Sequence, residues 1–150
     1  MSPQKPFQMH QVLNYRKELE RLCKLDFATA KRNLDDAHEV LEQNLRTTMR
    51  LAAEFSGGQH TFTSVTELQM YSHFFDRQRY EQERQRLLIA ELDYQLEQQR
   101  EKLQEATKEK KVMEQLKIKQ DAAFRKELAH KEALLLDEIA VQKQDRGETR

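Results

Sequence analysis

The sequence predicts an all-α protein, built as a long antiparallel two-helix coiled coil (a helical hairpin). Its 150 residues include only three glycines and two prolines, so few positions favour a break in a helix. Apolar residues recur every three or four positions along most of the chain, which is the spacing of one helix face. The segment around Gly57 and Gly58 separates two such periodic stretches, so one turn between two long helices is expected.

The composition is polar, with 35% charged and 37% hydrophobic residues. Such polarity is also typical of disorder, but the periodic spacing of the apolar residues favours helices. The 26 basic and 26 acidic residues cancel, which gives little long-range attraction to phosphate. We therefore expect no nucleic-acid partner. The densest basic run, residues 108–119, is expected to be a solvated helix face, with a patch for nucleic acid or acidic lipid as the alternative.

The first helix is predicted from about residue 8 to residue 55. Cys23 is the only cysteine, so no internal disulfide can form, and its spacing favours a small buried side chain. No stretch reaches the ~18 apolar residues of a membrane span, and residues 1–13 lack the apolar core of a signal peptide, so a cytoplasmic location is expected. The apolar series of this helix is Val12, Tyr15, Leu19, Cys23, Phe27, Ala30, Leu34, Ala37, Leu41, Leu45, Met49, Ala52 and Phe55.

The turn is predicted at residues 56–64 and the second helix at about 65–145, within one domain of residues 1–150. Gly57 and Gly58 suit the left-handed conformations that end helices, and Ser64 begins a capping box with Glu67. A seven-residue repeat from Ile89 to Phe124 predicts a left-handed supercoil. Its seam positions are Ile89, Leu92, Leu96, Gln99, Leu103, Ala106, Lys110, Met113, Lys117, Gln120 and Phe124.

An antiparallel hairpin centred near His60 would place residue i beside about residue 120 − i, and thus Leu13 near Thr107. The second helix would then lack a partner within the chain beyond about residue 110. The leucines at 134–136 would overhang by roughly 40 Å, so they are either frayed or docked onto another protein. In the polar stretch 76–86, we expect arginine and glutamine stems to cover the apolar residues opposite while their heads stay in water. A partner surface there is the alternative.

No pattern of catalytic or ligand-binding residues is present. The five histidines are scattered without metal-ligand spacing, and no glycine-rich phosphate-binding loop of the G-x-x-x-x-G-K-[ST] type occurs. No serine has a base at a meaningful spacing. We therefore expect no catalytic residue, no metal and no cofactor, and a chain that is not an enzyme.

Four segments of the sequence resemble those of a known protein family. Residues 7–20, "FQMHQVLNYRKELE", contain an aromatic residue followed by V-L-x-x-R. Residues 105–117, "EATKEKKVMEQLK", and residues 136–140, "LDEIA", resemble the family's second helix, in which the D-E-hydrophobic-A ending is the most specific feature. "LQMYSHFF" at residues 68–75 fits the layout after the turn. The sequence thus resembles the FliJ family of flagellar export proteins, and in order and spacing the resemblance covers nearly the whole chain.

The resemblance implies a coiled coil similar to the central stalk of rotary ATPases, working as a soluble part of a type III export apparatus. Its implied partners are the hexameric flagellar export ATPase, the cytoplasmic domain of the export gate and escort export chaperones. The implied location is the cytoplasmic face of the inner membrane, where association is peripheral. We expect the chain alone to be monomeric.

The resemblance also implies positions for the partner contacts. The export gate would be contacted through Leu45, Met49 and Phe74, close to Gln78, where the family pattern is aliphatic. The ATPase would be contacted through Val12, Leu13, Arg16, Glu18, Leu136, Asp137, Glu138, Ile139 and Ala140.

Three other functions are compatible with the sequence. The equivalent stalk of a virulence-type secretion system would share the fold and the mechanism. A generic coiled-coil scaffold would form homodimers through the overhanging segment. A nucleic-acid-binding rod would require a steep salt dependence of binding.

Overall fold

The computed structural model describes residues 9–58 and 64–148, which form two helices. α1 spans His10–Gly58 and α2 spans Val65–Glu148. The helices pack against each other as a helical-hairpin coiled coil, so the predicted all-α class is confirmed. The chain divides into two compact units: unit 1 comprises Met1–Arg21 with Glu105–Arg150, and unit 2 comprises Leu22–Gln104.

The first helix ends three residues later than the sequence predicts. α1 continues beyond Phe55 to Gly58, and Gly57 does not adopt a positive φ. Once a helix exists, each further residue adds a backbone hydrogen bond, so a glycine extends it at a cost of only about 1 kcal/mol. Gly57 is therefore part of the helix and does not terminate it. The remainder of the predicted turn, residues 59–63, lies outside the described residues.

The start of α2 agrees with its predicted capping signal. Ser64 Oγ accepts a hydrogen bond from the backbone N–H of Glu67 at 3.3 Å, and the helix begins at Val65. This bond satisfies one of the backbone donors left free at a helix N-terminus. Glu67 also places a negative charge in the first turn, where the helix dipole favours it.

The buried face of α1 differs from the predicted apolar series at both ends. Tyr15 and Met49 are exposed, while polar residues at neighbouring positions face α2 instead. Apart from the half-buried Leu19 and Thr47, the buried and half-buried positions of α1 step by three and four residues, which is a heptad pattern. This seam comprises Leu13, Arg16, Glu20, Cys23, Phe27, Ala30, Leu34, Ala37, Leu41, Asn44, Thr48, Leu51 and Phe55.

The seam of α2 follows the predicted heptad closely. Every predicted seam position from Ile89 to Lys117 is buried or half-buried, including the polar members Gln99 and Lys110. In unit 2, Phe55 of α1 packs against Tyr71 and Phe75, with ring centroids 5.5 and 6.2 Å apart. These tilted and edge-on arrangements are the ones that aromatic rings prefer.

The register of the helical pair is shifted by about six residues from the prediction. In unit 1, Leu13 packs with Met113, and not near Thr107 as predicted. In unit 2, Phe55 packs with Tyr71. Residue i thus lies beside about residue 126 − i in each unit. In unit 1 the contacts of α2 with α1 thus reach at least Leu116, beyond the predicted limit of about residue 110.

Candidate partner-binding surfaces

Unit 1 contains a fully exposed apolar segment near the end of α2. Every side chain from Ala129 to Gly147 is exposed. We call its five large apolar residues the tail surface: Leu134, Leu135, Leu136, Ile139 and Val141, of which Ile139 is the least exposed at 41% and Leu136 the most at 65%. The neighbouring Asp137, Glu138 and Ala140 are exposed as well.

The tail surface extends around more than half of the helix. At 3.6 residues per turn its members spread over about 220° of the circumference. The stripe that a surface helix needs to pack on one neighbour is about 100° wide. The geometry therefore suits a partner that encloses the helix from several sides better than one that lies along a single face.

The start of α1 contributes one exposed and one buried residue. Val12 is 37% exposed, whereas Leu13 is 1% exposed and packs with Met113 and Leu116. Of these two predicted ATPase contacts, only Val12 is available on the surface. Leu13 could reach a partner only if α1 and α2 separated in unit 1.

Two charged residues of the predicted ATPase site have ion-pair partners within the chain. Arg16 pairs with Glu109 of α2, with Nη1 and Oε2 2.5 Å apart. Glu18 accepts hydrogen bonds from Arg21 on the same helix. The hydrogen bond from Arg21 lowers the pKa of the Glu18 carboxyl below its usual value. Both groups of the second pair are in open solvent, where such pairs are screened.

The predicted gate-contact residues all lie in unit 2. Met49 is 72% exposed and Leu45 is 36% exposed. Phe74 is half-buried, and its ring is 6.1 Å from that of Phe75 in an edge-on arrangement. Leu45 and Met49 are on α1 and Phe74 is on α2, so both helices of the unit contribute to the proposed contact.

In the polar stretch 76–86, two glutamine amides are bonded to α1, whereas the prediction placed these groups in water. Gln82 is only 8% exposed, and its Nε2 donates hydrogen bonds of 2.9 Å to Asn44 Oδ1 and Thr48 Oγ1. Gln85 Nε2 donates to the carbonyl oxygen of Ala37, also at 2.9 Å. The side-chain amides of Gln82 and Gln85 are bonded inside the seam because each reaches an acceptor on α1. We call Asn44, Thr48 and Gln82 the polar layer.

Gln78 stands next to the polar layer on α2. Its Oε1 is buried and has no hydrogen-bond partner among the described residues. A buried carbonyl oxygen without a donor is costly, whereas an aliphatic residue at this position would pack there without that cost.

Sequence reasoning missed the polar members of the seam. An apolar series contains hydrophobic residues alone, so it omits Arg16, Glu20, Asn44 and Thr48. A strict alternation of three-residue and four-residue steps, extended in both directions from Cys23 and Leu41, passes through all four. The heptad is therefore the signal that could have found them.

The described part of the chain contains no arrangement suited to metal binding. No group of three or more His, Cys, Asp or Glu side chains there is placed to hold a metal ion. Within the same residues, neither helix carries a window that is both long and apolar enough to cross a membrane.

Comparison with known proteins decides the family. A family model described as "Flagellar FliJ protein" matches residues 4–149. The chain belongs to the FliJ family. No curated protein and no solved structure matches the sequence. Membership of the FliJ family makes the chain a component of the flagellar protein export apparatus, and the family is of a non-catalytic type.

Proposed function

We propose that this FliJ-family chain is the helical stalk that binds the hexameric flagellar export ATPase, promotes its assembly and activity, and does not itself catalyse a reaction. The contact would be made in unit 1 by the segment 136–140 of α2 and by Val12 of α1, with Leu13, Arg16 and Glu18 close to Val12 on α1. The observation that carries the proposal is the exposed tail surface.

The chemistry of the tail surface supports an enclosing partner. Burying a leucine side chain fully contributes about 1.5–3 kcal/mol relative to leaving it in water. The tail surface holds three consecutive leucines, each more than half exposed. The lumen of a hexameric ring surrounds a helix on all sides, so it can cover the 220° arc that one flat surface cannot. Part of the gain would be offset by the lost freedom of the bound chain.

The proposal extends to two further partners. Leu45, Met49 and Phe74 of unit 2 would contact the cytoplasmic domain of the export gate, and escort export chaperones would be handled by the same protein. The exposed Met49 suits such a surface because its flexible thioether adapts to different partners. The chain would work in the cytoplasm, peripherally associated with the export apparatus at the inner membrane.

The test is stimulation of ATP hydrolysis by the purified export ATPase as the chain is titrated in. Leu136→Ala with Ile139→Ala is expected to abolish stimulation while circular dichroism shows nearly unchanged helix content. A matched control is Leu87→Ala with Leu88→Ala, because these α2 residues of unit 2 are 71% and 46% exposed. Normal stimulation and normal ATPase binding by the tail variant would remove the basis of the proposal.

Light scattering tests the alternative of a homodimeric scaffold. We expect the wild-type chain to be a monomer, which leaves the tail surface available to a different protein. A stable dimer that the Leu136→Ala and Ile139→Ala substitutions dissociate would favour the scaffold instead.

A further inference from the structure

Two ion pairs with opposite polarity join the start of α1 to α2 in unit 1. Arg16 of α1 pairs with Glu109 of α2, and four residues on, Glu20 pairs with Lys110 at 3.1 Å. α1 thus supplies a cation and then an anion, and α2 supplies an anion and then a cation. We call these four residues the clamp.

The clamp lies within the seam of unit 1. The side chain of Glu20 is 8% exposed and that of Lys110 is 21% exposed, while Arg16 and Glu109 are about one-third exposed at 32% and 37%. Partly buried ion pairs lose much of their attraction to the cost of desolvation, and apolar residues of similar volume are often as stabilising. Their best-attested use is to specify one alignment of packed helices.

Among alignments one heptad apart, only the observed one keeps both ion pairs. A shift of α2 by one heptad in one direction would place Lys102 opposite Arg16, and two cations would meet. A shift in the other direction would place Leu116 there and remove the anion from Arg16. In the observed alignment Leu13 packs with Met113, and Val12 remains on the surface.

We infer that Arg16 affects ATPase binding as a positioning residue that acts through Glu109, and not by contacting the ATPase. This inference rests on the proposed function. The guanidinium of Arg16 is already engaged by Glu109, and this pair holds the start of α1 on the helix that carries the tail surface. A partner that bound the same guanidinium nitrogen of Arg16 would have to break the pair first.

A charge swap tests the inference. Arg16→Glu and Glu109→Arg each place like charges opposite one another, so each is expected to weaken binding to the purified ATPase about tenfold, the factor that 1.4 kcal/mol corresponds to. Each should also accelerate amide hydrogen exchange in residues 10–21, which reports local opening of the helix. The double variant restores opposite charges and is expected to return both measurements to within about twofold of wild type.

Arg21→Glu is the matched control. It changes the charge of α1 by the same amount, but Arg21 pairs with Glu18 on its own helix. We expect it to leave exchange in residues 10–21 near the wild-type rate and to weaken ATPase binding less than Arg16→Glu does. An equal loss of binding in the two variants would show that charge alone matters, and would overturn the inference.

The outcomes separate the inference from the proposed function. If the double variant regains slow exchange but still binds the ATPase as weakly as Arg16→Glu, Arg16 contacts the partner directly and the inference is wrong. Unchanged exchange in both single variants would also overturn the inference, because the clamp would then not hold the start of α1 on α2. If the wild-type chain does not bind the ATPase at all, the proposed function fails and the inference falls with it, whatever the exchange rates are.

Discussion

Gln82 Nε2 donates a hydrogen bond of 2.9 Å to Asn44 Oδ1 inside the seam of unit 2. The same nitrogen donates to Thr48 Oγ1, so one amide satisfies two acceptors on the facing helix. Buried polar groups are tolerated in a coiled coil when they are paired in this way, and they then favour the alignment that pairs them.

We expect Gln82→Leu to lower the free energy of unfolding, because it removes the donor of the polar layer. The substitution leaves Asn44 Oδ1 and Thr48 Oγ1 without their donor, and a buried group left unpaired costs about 1–3 kcal/mol. Urea unfolding followed by circular dichroism measures the loss. Replacing all three members, as Gln82→Leu with Asn44→Leu and Thr48→Val, should recover most of it, because no orphaned acceptor remains.

The control for this prediction is Gln98→Leu. Gln98 is exposed and donates to the hydroxyl of Tyr94 at 2.7 Å, so its replacement should change the free energy of unfolding by no more than about 0.5 kcal/mol. A Gln82→Leu variant as stable as this control would contradict a structural role for the polar layer.

Leu13→Ala is expected to destabilise unit 1 by about 2–5 kcal/mol, the usual range for a large apolar side chain removed from a core. Leu13 is the one described side chain of its size that is almost completely buried. Amide hydrogen exchange in residues 10–21 measures the change. Leu134→Ala in the same unit removes a 55% exposed side chain and should change exchange there little. Equal effects of the two substitutions would be inconsistent with the packing of Leu13 on Met113.

Because Glu18 pairs with Arg21, we expect the stability of this part of α1 to depend on pH. The hydrogen bond from Arg21 depresses the pKa of Glu18 below the ordinary value of 4.5. A depressed carboxyl pKa means that the pair stabilises the folded helix above pH 4.5, and that this contribution is lost as the pH falls through the lowered pKa. An NMR titration of the Glu18 carboxyl carbon should show its pKa rise in the Arg21→Gln variant. An unchanged value would show that Arg21 does not cause the shift.

Gly57→Ala is expected to stabilise the chain by about 0.5–1 kcal/mol. A Cβ added at Gly57 meets nothing within 4 Å, and the residue lies in α1. Alanine restricts the unfolded chain and favours the helix. Thermal unfolding measures the gain. A fall in Tm would indicate that Gly57 needs a conformation that alanine cannot adopt.

The sequence predicted much of the fold but only part of the seam. From Cys23 to Leu41 the apolar series coincides with the seam, because there the seam positions are apolar. Outside that range the seam passes to Arg16 and Glu20 in one direction and to Asn44 and Thr48 in the other. Hydrophobicity cannot identify such residues, because their burial depends on a partner on the other helix.

The candidate partner-binding surfaces were likewise predicted only in part. The tail surface was recognisable as an unusual run of apolar residues, and it is exposed. The burial of Leu13 and the engagement of Arg16 by Glu109 were not predicted, because the predicted register placed Leu13 beside Thr107. That register rested on a turn centred near His60, with α1 ending before Gly57, whereas α1 continues to Gly58.

By itself, the sequence determined the two long helices, the capping residue Ser64 and the apolar character of the tail. Each follows from residues a few positions apart, since helix periodicity and capping are local properties. Only the tertiary structure decided the register and the polar members of the seam. Those depend on atoms far apart in the chain, such as the side chains of Arg16 and Glu109, 93 positions from each other, which meet only when the two helices are aligned.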